Sequence, residues 1–215
     1  MTLKKASLFK WLTSFVLIPI LVVGGVVLFC SVPFFYPSQT LWYKIGVDKT
    51  LLLTGQLAGL LCLFFLLLQV LLGVRVKLLE NCYGTPLVMK THRFLGKAML
   101  LLGLIHVGFV LLPEGLYNLP IGWKYWPEGI GATLLLALLV QVLSSILRDM
   151  LKFGYRPWRI VHRILAYTMV LLATVHVLFV TDSFGFNLPG KILPVLVLIV
   201  LFWVGWQWYC RLQND

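Results

Sequence analysis

The sequence predicts an all-α fold, a polytopic membrane protein built as a six-transmembrane-helix bundle. Composition points there first: 60% of the 215 residues are hydrophobic, only 12% are charged, and the mean hydropathy is +0.96. A soluble domain of this size could not hide that much apolar surface, so lipid must be the solvent. Six apolar segments follow one another, each near the roughly 20 residues a membrane helix needs. The charges are sorted between the connections rather than scattered.

The segments lie at about 11–34, 50–73, 91–112, 129–148, 159–181 and 190–209. The N-terminal MTLKKASLFK looks like the start of a signal peptide, but the apolar stretch from Trp11 to Cys30 is longer than a typical h-region and no A-x-A-like site follows. Phe29 before Cys30 also spoils a lipoprotein cleavage signal, so the stretch is expected to stay as the first helix. Turn residues separate the later segments: Pro37 and Ser38, Gly84 and Pro86, Pro113 to Pro127, Gly154 and Pro157, Asp182 to Pro189. Pro157 suits a first helical turn. Pro19 and Pro194 fall inside segments and are expected to kink helices one and six. With no linker visible, residues 1–215 are expected to form a single domain.

Basic residues orient the bundle. If the N-terminus is cytoplasmic, the inside carries Lys4, Lys5, Lys10, Arg75, Lys77, Lys90, Arg93, Arg148, Lys152, Arg156, Arg159, Arg163 and Arg211, with the acids Glu80, Asp149 and Asp215. The outside carries Lys44, Lys49, Lys124 and Lys191 against Asp48, Glu114, Glu128 and Asp182, and Lys97 sits one turn into helix three. The positive-inside rule then places both termini in the cytoplasm of a plasma (inner) membrane. This sorting gives the net charge of +11 a topological reading and argues against nucleic acid as a partner. Trp123 and Trp126 suit an outer interfacial belt, and Trp11 and Trp158 an inner one. Cys30, Cys62, Cys82 and Cys210 form no CxxC and no CxxCH, which excludes covalent c-type haem attachment and leaves them as packing residues.

All four histidines lie in two segments: His92 and His106 on helix three, His162 and His176 on helix five. Each pair is 14 residues apart, which on an α-helix is 40° short of four turns and a rise of about 21 Å. Each helix therefore presents two histidines on nearly one face. Both helices leave the same side and run parallel, so His92 should face His162 near the inner surface, and His106 should face His176 near the outer one. Facing imidazoles on parallel helices make a bis-histidine axial site for a haem iron, here two stacked haems between helices 3 and 5.

The two segments also repeat. HRFLGKAMLLLGLIHV from His92 and HRILAYTMVLLATVHV from His162 share eight of 16 positions. Small residues recur at matched places, Gly96 and Gly103 in one copy, Ala166 and Ala173 in the other, where a flat porphyrin would need close approach. Zinc fits poorly, because the pairs are far apart and no carboxylate or thiol sits beside either. Arg93 and Arg163 follow the inner histidines directly, and Lys90, Lys97, Arg156 and Arg159 lie near. Arg93 and Arg163 are the strongest candidates for pairing haem propionates. Lys124, Trp123 and Tyr117 are weaker candidates at the outer haem. No catalytic side chain stands out.

Histidine pairs 14 apart on helices three and five of a six-helix chain, with HRFLG and WRIVHR, resemble the ferric reductase-like transmembrane domain. That superfamily includes ferric reductases, NADPH oxidases and the haem-binding membrane subunit of the periplasmic methionine sulfoxide reductase system (MsrQ type). The resemblance covers nearly the whole chain. It implies two b-type haems (haem b), with electrons entering at the inner pair and leaving at the outer one. It also implies an oxidoreductase component whose outer-side acceptor is ferric iron, a metal chelate, oxygen or a periplasmic reductase. No GxGxxG appears, and the sequence ends six residues after the sixth apolar run. The donor is accordingly expected to be a separate flavoprotein reductase, a quinol or quinone, or a bound external flavin. Three readings stay open at this point: a ferric reductase-type electron conduit, a membrane subunit feeding a periplasmic reductase, and a non-catalytic haem carrier or proton-relay protein.

Overall fold

A hydrocarbon solvent offers no hydrogen bonds, so each apolar run must satisfy its own backbone as a helix. The computed structural model describes residues 12–115, 120–150, 152, 154–185 and 187–213, and all regular structure among them is helical. Six helices are long and apolar enough to cross a membrane. They are α1 (Ile18–Phe35, preceded by a π-helical stretch Thr13–Leu17), α2 (Gly46–Gly73), α3 (Thr85–Leu111), α4 (Trp126–Leu147), α5 (Tyr155–Val180) and α6 (Leu188–Leu212). Short helices Gln39–Tyr43 and Lys77–Tyr83 fill two connections. Lys4, Lys5, Lys10, Trp11, Tyr117 and Asp215 lie outside the described residues.

Helices α2, α3 and α5 begin four to six residues before the apolar segments do. Hydropathy marks where the hydrocarbon begins, whereas a helix begins where the backbone leaves the preceding turn. At α3 that point is Gly84, whose φ of +76° ends the preceding short helix, with Pro86 in the first turn of the next. Pro19 enters the first helix directly after the π-helical stretch, where the Ile18 N–H bonds back to the Thr13 carbonyl. Pro194 lies inside α6 as expected, and Pro33 lies inside α1 as well.

Helix α2 is central. It packs along α3 and also against α1, α5 and α6, and it buries Leu52, Leu60, Leu63, Leu66, Leu67 and Val70. Helix α5 packs along α4. Helices α3 and α5 are not among the closely packed pairs, so their backbones stand apart. Met99 and Met169, the methionines of the repeated frame, are both 3% exposed and share one apolar cluster with Phe29, Leu138, Val170 and Val197. Val23, Leu28, Leu198 and Phe202 point outward from α1 and α6, as lipid-facing side chains do.

Polar clasps close both ends. At the end rich in basic residues, Arg75 adopts φ +58° and its guanidinium binds Glu80 at 2.5 Å and Thr85 at 3.3 Å, while the Tyr83 hydroxyl donates to the Ser14 carbonyl. At the opposite end Lys44 donates to the Pro113 carbonyl at 2.9 Å and pairs with Glu114 at 3.1 Å.

Candidate functional site

The four histidines meet in two couples across the separation between α3 and α5. The ring centres of His92 and His162 lie 6.2 Å apart with planes inclined at 59°, and those of His106 and His176 lie 6.3 Å apart at 83°. With a metal–nitrogen bond of about 2 Å and a nitrogen about 1.1 Å from its ring centre, two imidazoles on opposite sides of one metal stand about 6.2 Å apart. Both couples have that spacing. Among the described residues no group of three or more His, Cys, Asp or Glu side chains converges. Two imidazoles alone suit a metal that brings its own equatorial ligands, as a haem iron does.

The couple farther from the basic end is held by two sockets of the same design. His106 Nδ1 lies 2.9 Å from the Gly55 carbonyl of α2, and His176 Nδ1 lies 2.7 Å from the Pro127 carbonyl of α4. A carbonyl only accepts, so each Nδ1 carries the hydrogen and each Nε2 keeps its lone pair for a metal. A helix carbonyl is normally screened by the side chain four residues on, because Cα–Cβ bonds tilt toward the N-terminus. Here those residues are Gly59 and Gly131. A Cβ on Gly59 would lie 2.7 Å from His106 Nδ1, and one on Gly131 would lie 2.6 Å from His176 Cε1. The missing side chains are the space the imidazoles occupy.

At the basic end the backbone of each histidine is gripped instead. Gln69 Nε2 of α2 donates to the His92 carbonyl at 2.8 Å, and Gln141 Nε2 of α4 donates to the His162 carbonyl at 2.9 Å. The residues four positions on are Gly96 and Ala166, again small. A Cβ on Gly96 would lie 3.2 Å from Gln69 Nε2. Gly96 therefore faces α2 and lets the amide through. Gly103 faces α4, against Leu135 and Leu138. Ala173 is buried and Ala166 half-buried.

These matches show that α2 and α4 repeat as well as α3 and α5. Residues 55–72 and 127–144 agree at seven of 18 positions, including Gly59/Gly131, Gln69/Gln141 and Val70/Val142. Each α2–α3 or α4–α5 hairpin is one copy, bolted at both ends by the same pair of devices. The glycines and glutamines of α2 and α4 are the site residues that the histidine pattern alone did not reveal. Their signal was this second repeat.

Around the basic-end couple, Trp158 stacks on His162 with ring centres 4.8 Å apart and planes inclined at 35°. The Arg148 guanidinium lies 5.5 Å from the Trp158 ring centre and 5.5 Å from that of Tyr155. Trp158 is thus more than an interfacial anchor. Arg163 is half-buried, whereas Arg93, Lys90, Lys97, Arg156 and Arg159 are exposed at the same end. Lys124, at the opposite end, lies over the Tyr125 ring at 5.8 Å, and Trp123 is 91% exposed. His92 Nδ1, His162 Nδ1, Gln69 Oε1 and Trp158 Nε1 are buried and have no hydrogen-bond partner among the described residues. The Cys62 thiol donates to the Met99 carbonyl at 3.2 Å.

Fold and site together define a helical, multi-pass membrane protein with two stacked histidine couples inside its bundle. The sequence pattern of the ferric reductase like transmembrane component family matches residues 58–173, more than half of the chain, and the chain belongs to that family. The matched stretch takes in Gly59, Gln69, His92, His106, Gly131, Gln141 and His162 and ends three residues before His176. No curated protein and no solved structure matches the chain. Membership points to redox cofactor binding and electron transfer across a membrane as the class of activity.

Proposed function

We propose that this chain is a transmembrane electron conduit that binds one b-type haem between His92 and His162 and a second between His106 and His176. The observation that carries the reading is the pair of facing imidazole couples, 6.2 and 6.3 Å between ring centres, one above the other on parallel helices. Haem bound at each couple supplies a one-electron carrier, and the two couples lie about 21 Å apart along the helix axis. The protein's own part is to hold each Nε2 on the axis between the helices, to keep water from the bundle interior, and to offer cations where propionates emerge.

The basic end is the side of electron uptake on this reading. Its excess of Lys and Arg supports reading it as the cytoplasmic face, and on this reading Arg163 and Arg93, each next in sequence to a histidine of that couple, pair the propionates. The exposed cations Lys90, Lys97, Arg156 and Arg159 favour an anionic donor such as an acidic flavoprotein or a reduced flavin. The opposite end, nearly neutral, delivers electrons to an outer-side acceptor: ferric iron, oxygen or a periplasmic reductase.

The test is spectroscopic. Purified protein is expected to hold two haems per chain with the reduced α-band of a b-type cytochrome. His92→Ala and His106→Ala should each leave one. A colourless preparation that takes up no added haemin would overturn the proposal. Dithionite reduction of proteoliposomes from one face only, followed by ferric chelate reduction on the other, separates a direct ferric reductase from a subunit that needs a periplasmic partner.

A further inference from the structure

Both couples consist of two histidines, yet their ring nitrogens live in different company. At the far couple both Nδ1–H groups are bound to helix carbonyls, of Gly55 and Pro127. At the basic-end couple neither Nδ1 has an acceptor among the described residues, and His162 is instead covered by the face of Trp158. A ligating imidazole whose N–H is hydrogen-bonded becomes a stronger base toward its metal. A stronger donor stabilises the oxidised ion and lowers its reduction potential. Cations act in the same sense from the other end, because Arg163 and Arg148 lie beside the basic-end couple and favour the reduced, less positive state there.

We infer that the chain poises its two sites unequally: the His106/His176 site is the low-potential one because Gly59 and Gly131 uncover carbonyls for both ligands, and the His92/His162 site is the high-potential one because no such acceptor reaches it among the described residues. Gly59 and Gly131 are accordingly positioning residues that set a potential as well as a shape. The inference rests on the haem reading above. An electron taken up at the basic end then rests there, and the onward step runs against the protein's own gradient. A cytoplasmic face negative inside supplies a field that drives the electron outward.

Gly73 gives a direct test. A Cβ there would sit in ordinary contact with His92, 3.5 Å from Cε1 and 3.9 Å from Nδ1, so a hydroxyl one bond farther can accept from that nitrogen. Redox titration of the wild type, followed by visible spectroscopy, is expected to show two one-electron steps. Gly73→Ser should shift the upper step downward and leave the lower one in place, whereas Gly73→Ala, which adds the bulk without the acceptor, should move neither. The single-haem variants give a second measurement: the haem kept by His92→Ala should titrate at the lower step, and that kept by His106→Ala at the upper. Coincident steps in the wild type, the reverse order in the single-haem variants, or equal titration of the serine and alanine variants would each overturn the inference while leaving two haems in place. Absence of haem would instead sink the functional reading itself.

Discussion

Replacing Gly131 by alanine is the sharpest probe of the far couple. The added methyl would lie 2.6 Å from His176 Cε1, 3.1 Å from Nδ1 and 3.3 Å from Nε2, so the ring rests face-on against the glycine. Carbon atoms at ease stand about 3.5–4.0 Å apart, and the ring must therefore retreat by about 1 Å. Metal–ligand distances tolerate about 0.2 Å. The same retreat stretches the 2.7 Å bond from Nδ1 to the Pro127 carbonyl toward the limit at which it ceases to be one. Overpacking costs about 1–3 kcal/mol, and the lost hydrogen bond adds about 0.5–1.5 kcal/mol. Haem content, measured as pyridine haemochrome per chain, should fall from two to one. Gly129→Ala is the control: it lies on the same helix with nothing within 4 Å of its added methyl, and it makes the same gain in helix propensity. A Gly131→Ala protein with two haems and the spectrum of the Gly129→Ala control would refute the socket argument.

Other outcomes follow from the same contacts. His162→Ala should lose the basic-end haem and His176→Ala the far one, each with one haem retained by absorbance. Gln141→Leu removes the grip on the His162 carbonyl and should lower stability by about 0.5–1.5 kcal/mol, within the range of hydrogen bonds between membrane helices, read as a fall in thermal midpoint. Gly96→Leu should displace Gln69 and with it the His92 backbone, so the basic-end haem is lost while membrane insertion, checked by alkaline extraction, is unchanged. Lys44→Ala should cost less than about 1 kcal/mol, because the pair with Glu114 is partly exposed, but should speed amide exchange at Leu112–Gly115.

The six spans and the pairing of the histidines were legible because each follows from a period the sequence displays directly. Apolar runs near 20 residues have one solution in lipid, and a spacing of 14 returns to nearly the same helix face. Span boundaries were less legible: the helices start earlier and include Lys90 in one case and Arg156 in the other, where charge ends the hydropathy signal but not the helix. The roles of Gly96 and Gly103 could not be read either. Both were expected beside the cofactor, and each faces a neighbouring helix, because residues three and four away from a histidine flank its face on both sides. Gly59 and Gly131 carried no signal alone, since a lone glycine in an apolar helix commonly serves packing. Only their register with Gln69 and Gln141, ten residues on in both helices, sets them apart.

The hairpin architecture has a consequence for assembly. Within each hairpin, helix–helix contact is continuous and bolted at both ends. Between α3 and α5, by contrast, the seam is spanned by imidazoles rather than by interlocked ridges. A flat prosthetic group can therefore slide in after both hairpins have been threaded into the bilayer, without unzipping either of them. Two fragments divided between α3 and α4 should still meet where α2 packs against α5 and α6, with haem adding the one join that the helices themselves leave open, between α3 and α5.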